Sequence, residues 1–245
     1  MDVLVLGGTG RARRLAQELV DRRIDVVTSL AGVTASRSPV PGAVRVGGFG
    51  GVEGLSAFLR ENRVRAVVDA THPFAGTMSD HAARAAAQVG LPLLRLKAPS
   101  WRGLDDARNW TWVAGHQDAA QAAREAGGRV LLTVGRQPVP HYLAALADRS
   151  VIARCIDAPD VRLPLSWTVL RDRGPFGLEA ERALLAGVDV LVSKDSGGSE
   201  PDPKLVAAGE LGTAVVMISR PPAPAYGEEV PEVAEALDRL VAAIV

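Results

Sequence analysis

The amino-acid sequence predicts an α/β protein made of two parallel-sheet halves, with helices on both faces of each sheet and the active site in the cleft between them. Three observations carry this reading. Apolar bursts of strand length alternate with helical periodicity along nearly the whole chain, and such βαβα alternation sets parallel strands between helical layers. The regularity lapses between Ala98 and Arg108, where Pro99, Trp101, Gly103 and two aspartates stand together. Strands also end repeatedly in glycine- and hydroxyl-bearing turns, the places where open parallel sheets bind ligands. A chain of 245 residues can bury a core as one large mixed sheet or as two small domains. The lapse favours two, divided as 1–98 and 99–245.

The elements follow in order. Val3–Leu6 reads as a buried strand, and Ala12, Leu15, Ala16, Leu19 and Val20 fall on one face of the next helix. A second strand is expected at Asp25–Leu30, a helix around Val52–Glu61 and a third strand at Ala66–Ala70. Ala75, Met78, Ala82, Ala85, Ala86 and Val89 form another amphipathic stripe, closed by Gly90. Leu93–Leu96 is a fourth strand. In the second half, strands are expected at Val130–Val134, Val151–Cys155, Val188–Ser193 and Ala214–Ser219. Helices are expected near Tyr142–Ala147, at Leu178–Ala186 and near Lys204–Leu211. After Pro231, Val233, Leu237, Leu240, Val241 and Ile244 share one face of a packed final helix.

Composition excludes several function classes. Basic and acidic residues are both 28, so no net charge draws the chain to nucleic acid or a membrane surface. Aromatics are 4%, too few for a base-stacking platform. The single cysteine, Cys155, allows no internal disulfide and suits a reducing compartment. Met1-Asp2-Val3 runs directly into an apolar strand without a basic leader or long apolar segment, which reads as cytoplasmic. Only three lysines occur, Lys97, Lys194 and Lys204. Against that arginine-rich background, a lysine inside a glycine turn draws attention.

Gly7-Gly8-Thr9-Gly10 joins the first strand to the first helix. Glycine lets the backbone approach a pyrophosphate, and the helix start offers unpaired N–H groups. The fingerprint is incomplete, because Arg13 takes the place of its third glycine; a purely structural turn uses the same residues. The second strand closes in Thr28-Ser29-Leu30 with no acid, and Arg37 follows. An acid there would bind a ribose 2′-hydroxyl, so Ser29 and Arg37 favour the 2′-phosphate of NADPH.

Other strand ends carry chemistry too. Asp69-Ala70-Thr71-His72-Pro73-Phe74-Ala75 presents Thr71 and His72, with Pro73 holding His72 extended. Thr133-Val134-Gly135-Arg136 and Arg173-Gly174-Pro175-Phe176-Gly177 precede helical segments. Ser193-Lys194-Asp195-Ser196-Gly197-Gly198 puts a lysine and a serine in a glycine turn suited to an anion, with the wrong glycine spacing for a Walker motif. Ser219-Arg220 adds a cation at the last strand end.

These strings, from Gly7-Gly8-Thr9 with Arg13, Leu15 and Ala16, through Asp69-Ala70-Thr71-His72-Pro73-Phe74-Ala75 and Gly174-Pro175-Phe176, to Lys194-Asp195-Ser196-Gly197-Gly198 and Arg220-Pro221, resemble the precorrin-6A reductase family. The match runs in order from about residue 3 to residue 222. It departs at Arg11, where an acidic residue is common in the family. The resemblance implies two Rossmann-like halves and hydride transfer from NADPH to a carbon–carbon double bond of a tetrapyrrole, giving precorrin-6B in cobalamin biosynthesis.

In that setting Gly8, Thr9 and Gly10 would take the pyrophosphate, Ser29 and Arg37 the 2′-phosphate, and Thr71, His72, Thr133 and Gly135 the nicotinamide. Arg136, Arg173, Lys194, Ser196 and Arg220 would meet the substrate's carboxylates. His72 or Lys194 would supply the proton. No metal, nucleic acid or membrane partner is called for, and a monomer suffices. Two other classes stay open: a non-catalytic NADPH-binding redox sensor, and a nucleotide-sugar enzyme, which leaves the Thr-His-Pro-Phe string without a role. A short-chain dehydrogenase needs Tyr-x-x-x-Lys, and neither Tyr142 nor Tyr226 has a lysine four residues on.

Overall fold

The computed structural model describes residues 1–32 and 39–244. It contains two compact units, Met1–Pro99 with Pro221–Val245, and Ser100–Arg220.

The first unit is built on β1 (Val3–Leu6), β2 (Val26–Leu30), β3 (Ala43–Val46), β4 (Ala66–Asp69), β5 (Leu93–Leu96) and β12 (Glu228–Val230). They form one sheet in the order β12-β5-β4-β1-β2-β3, and every pair is parallel. Alternation along β1 explains the layering. Val3 and Val5 face α1 (Gly10–Asp21) and α7 (Val233–Ile244), packing with Leu15, Leu19, Leu237 and Leu240. Leu4 and Leu6 face α2 (Gly51–Glu61) and α3 (Gly76–Val89), packing with Leu55, Leu59, Ala82 and Ala86. Because both faces are covered, the central strands read as unbroken apolar runs. Gly90 ends α3 in the left-handed region, φ 76°, where glycine carries no Cβ penalty.

The second unit repeats the plan with β6 (Thr111–Val113), β7 (Arg129–Leu132), β8 (Ser150–Cys155), β9 (Trp167–Arg171), β10 (Val190–Lys194) and β11 (Ala214–Ile218). Its order is β6-β11-β10-β7-β8-β9, again parallel throughout. α5 (Leu178–Leu185) and α6 (Pro203–Leu211) cover one face through Leu185, Leu205 and Ala208. α4 (His116–Ala126) buries Ala119, Ala120 and Ala123. In the first unit β1 lies between β2 and β4, and in the second β7 lies between β8 and β10. That is the topological switch point of a doubly wound sheet, where ligands bind beyond the strands' carboxyl ends.

Two expectations change. The segment 221–245, expected in the second domain, belongs to the first unit: β12 pairs with β5, and the apolar face of α7 completes the core over α1. β6, next in sequence after β5, joins the second sheet. The expected helix near Tyr142–Ala147 is a 3-10 turn at Val139–Tyr142 followed by further turns. Tyr142 and Leu146 are fully buried there, so their apolar spacing reflects burial rather than a helical face.

Candidate active site

At the first switch point, Gly7 N–H donates to Ser29 O at 2.9 Å and Ala70 N–H to Leu6 O at 3.0 Å. Thr9 is the N-cap of α1. Its Oγ1 accepts from Ala12 N–H at 3.1 Å and donates to Ala70 O at 2.8 Å, closing the turn against the end of β4. Gly8 has φ +114° with nothing within 4 Å of where a Cβ would stand. This left-handed backbone suits glycine and leaves an open approach to the start of α1. Gly10 is likewise uncrowded. Ser29 is buried on β2 and holds the turn through its carbonyl. Arg37 lies outside the described residues.

Beyond β4 lies a buried polar network. Asp69, fully buried, accepts from Thr71 N–H at 3.0 Å and Thr71 Oγ1 at 2.6 Å, and from Ser79 Oγ at 2.6 Å. Lys97, one residue past β5, donates from Nζ to Asp69 Oδ1 at 3.0 Å, Thr71 O at 2.9 Å and Thr71 Oγ1 at 3.2 Å. Burial pushes the Lys97 ammonium pKa down, and Asp69 opposes that shift. The network turns the Thr71 hydroxyl inward and fixes the backbone that carries His72. The half-buried His72 accepts Phe74 N–H at Nδ1, 3.2 Å. A neutral ring in that turn therefore carries its proton on Nε2. Protonating Nδ1 would cost the turn a hydrogen bond.

In the second unit, Lys194 ends β10 beside the switch point with β7. Thr133 spends both its N–H and its hydroxyl on Val192 O, each at 2.9 Å, and Gly135 turns at φ +82°. Burial pushes the Lys194 ammonium pKa down. Asp195, next in sequence, accepts from Ser100 Oγ at 2.6 Å and Trp101 N–H at 3.0 Å. It also pairs with Arg220 Nε at 3.3 Å, whose Nε donates to Asp195 O at 2.9 Å. Asp195 thus ties together the residues at which the chain enters and leaves this unit. Gly198 packs against Trp101, whose Nε1 would stand 3.3 Å from a Cβ there. Ser196 closes the turn through its N–H to Lys194 O at 2.7 Å. Arg136 is close enough to Cys155 to oppose the upward push of burial on that thiol. Arg173, after β9, is exposed. Phe176 lies under the Arg154 guanidinium at 4.1 Å, and Arg154 pairs with the buried Glu181 at 2.8 Å. The Gly174-Pro175-Phe176 string therefore covers a buried ion pair.

The sequence reading passed over Lys97's contacts and a cluster around His116, the first residue of α4. His116 Nδ1 lies 2.9 Å from the Tyr142 hydroxyl, and its ring stacks on His141 at 5.7 Å. A histidine at a helix start directly after a strand, at the same rim as Lys194, was the available signal. Burial, then Lys194 and His141, push the His116 pKa from 6.5 down to about 4. Between those values the unfolded chain binds the extra proton. His116 therefore withdraws stability as pH falls from 6.5 to about 4. His116→Gln should flatten this part of the unfolding midpoint against pH. Tryptophan fluorescence can follow it, since all four tryptophans lie in the second unit. Parallel slopes for variant and wild type would remove His116 as the cause.

Two doubly wound parallel sheets with a glycine turn at the first switch point are the architecture of a Rossmann-type oxidoreductase. The model of the family described as Precorrin-6x reductase CbiJ/CobK matches residues 2–241. A precorrin-6A reductase of Rhodococcus erythropolis is 46% identical, covering 96% of this chain and 95% of the relative. A cobalt-precorrin-6A reductase of Priestia megaterium is 35% identical, covering 89% and 90%. The solved structure of a CobK precorrin-6A reductase superposes with a TM-score of 0.91 at 36% identity, covering 99% of this chain and 97% of that one. The chain belongs to the precorrin-6x reductase family, as the motif resemblance implied. Membership in a reductase family of this fold implies a nicotinamide cofactor. No described helix is long and apolar enough to cross a membrane.

Proposed function

We propose that the protein reduces one carbon–carbon double bond of precorrin-6A with NADPH, giving precorrin-6B. The observation that carries this reading is whole-length similarity to precorrin-6A reductases; Lys194 at the end of β10 is assigned as the acid. The cobalt-free macrocycle is favoured because the relative named for it is 46% identical and the cobalt-precorrin relative 35%.

The cofactor supplies the hydride; the chain must bind, orient and protonate. The open turn of Gly8, Thr9 and Gly10 fits a pyrophosphate at the start of α1. Thr71 and His72 are assigned to the nicotinamide, with His72 presenting Nε2–H as a donor. Thr133 and Gly135 are assigned to the cofactor as well. Arg136, Arg173, Lys194, Ser196 and Arg220 are assigned to the substrate's carboxylates. Hydride arrives at one carbon of the double bond and a proton at its neighbour. Lys194 suits the proton better than His72, because burial loosens its proton, whereas His72 Nδ1 is engaged with Phe74.

Anaerobic incubation of the pure protein with NADPH and precorrin-6A, followed by mass analysis, should show a gain of two hydrogens in the macrocycle. Cobalt-precorrin-6A should turn over more slowly. NADPH binding without any turnover would overturn the reading in favour of a redox sensor.

A further inference from the structure

An open cavity of about 660 Å³ lies against the outer face of α1, lined by Thr9, Gly10, Arg11, Arg13, Arg14, Gln17, Pro39 and Pro41. Its size is that of a small-molecule site, which spans roughly 300–1,000 Å³. Gly10, Arg13, Arg14 and Gln17 are spaced i, i+3, i+4 and i+7, so one helical face forms the wall. The cavity begins at the glycine turn and runs toward the prolines that precede β3. A dinucleotide whose pyrophosphate lies on Gly8–Gly10 would extend its adenosine half along such a surface.

The cations of this region are not equivalent. Arg11 donates to Pro231 O and pairs with Glu232 at 3.7 Å. Arg45, on β3, donates to Gly47 O and Gly48 O at 2.6 and 2.7 Å, and its guanidinium lies 3.9 Å over Phe49. Arg13 and Arg14 have no hydrogen-bond or ion-pair partner for their side chains among the described residues. Arg13 Nη2 stands 3.8 Å from the place of a Gly10 Cβ, folded back beside the turn. Among the described residues no carboxylate lines the cavity, and α1 has no acidic residue in its first turn.

We propose that Arg13 and Arg14 clamp the ribose 2′-phosphate of NADPH and set the preference for NADPH over NADH. The proposal rests on the reading of the first unit as the NADPH-binding one. It adds to the end of β2 a second specificity determinant in the first turns of α1, where Arg13 occupies the place of the third glycine. Two guanidinium groups on one helical face match a dianion by forked, charge-assisted bonds, and the proline walls offer apolar surface to the sugar and base.

The test is calorimetric binding of 2′,5′-ADP and of 5′-ADP to the full chain, wild type and the variants Arg13→Gln, Arg14→Gln and the double variant. Neither arginine side chain packs in the core, and glutamine forms helix nearly as well as arginine, so folding should be retained. Each single variant should lose about 10- to 100-fold in affinity for 2′,5′-ADP, with 5′-ADP binding unchanged. The NADPH-to-NADH ratio of kcat/KM should fall alongside. Unchanged binding of both probes would overturn the proposal. So would an equal loss for both, which would assign the arginines to the pyrophosphate. If the wild-type protein binds neither probe, the cofactor reading of the first unit itself fails.

Discussion

Lys97→Ala should lower the unfolding free energy by about 3–5 kcal/mol, the usual cost of stripping one partner from a buried ion pair. Asp69 is 0% exposed and Lys97 8%. With the ammonium gone, the carboxylate keeps Thr71 and Ser79 as donors but loses the only cation it pairs with among the described residues. Thr71 O and Oγ1 lose a donor in the same step. Lys97→Met, which keeps the stem, should cost nearly as much, because the loss is electrostatic rather than one of volume. Adding Asp69→Asn to Lys97→Met should restore part of the stability, since the unpaired charge is then removed from both sides. Urea unfolding followed by far-UV circular dichroism measures all of these. A loss below about 1 kcal/mol for Lys97→Ala would mean that water reaches the carboxylate and that the network is not closed. The same variants should impair turnover, because the turn carrying His72 is held by this network.

What the sequence made legible follows from burial. β1, β4, β5 and β10 are buried along almost their whole length and read as apolar runs; α1 and α7 each have a broad apolar stripe against the sheet. β3, β6 and β12 were passed over because they are three or four residues long, end their sheets, and are partly exposed. β9, also at a sheet end, keeps only Trp167 buried. α4 escaped because its buried face is all alanine, too weak an apolar signal for periodicity. The return of 221–245 to the first unit is a pairing of β12 with a strand over 130 residues earlier, which no local pattern encodes. The same division holds at the site. Gly8, Thr71, His72 and Lys194 stood out as candidates because each lies at the end of a readable strand. Lys97 could not be assigned, because its meaning lies in contacts 26 and 28 residues away. Arg220 was expected as a substrate cation, and its tie to Asp195 is likewise a contact at a distance of 25 residues.

Lys194→Ala should reduce kcat by about 100- to 10,000-fold, the range general acids contribute, while leaving the KM for NADPH near its wild-type value. The acid must be protonated to act, so wild-type kcat should fall as pH rises through the Lys194 pKa. Burial places that fall below 10.5. The alanine variant should lack this limb. Lys194→Arg separates the two roles open to the residue. A guanidinium keeps the charge that anchors a substrate carboxylate, yet it stays protonated across the working pH range and does not release a proton. Substrate KM should therefore be retained in Lys194→Arg while kcat stays low. If arginine restores the rate, Lys194 is an anchor and the proton comes from elsewhere, with solvent and His72 the remaining sources. A His72→Ala variant then decides between them: its Nε2–H can orient the cofactor but is too weak an acid to protonate carbon while Nδ1 holds Phe74 N–H. Loss of the alkaline limb in His72→Ala, with that limb kept in Lys194→Ala, would reverse the assignment.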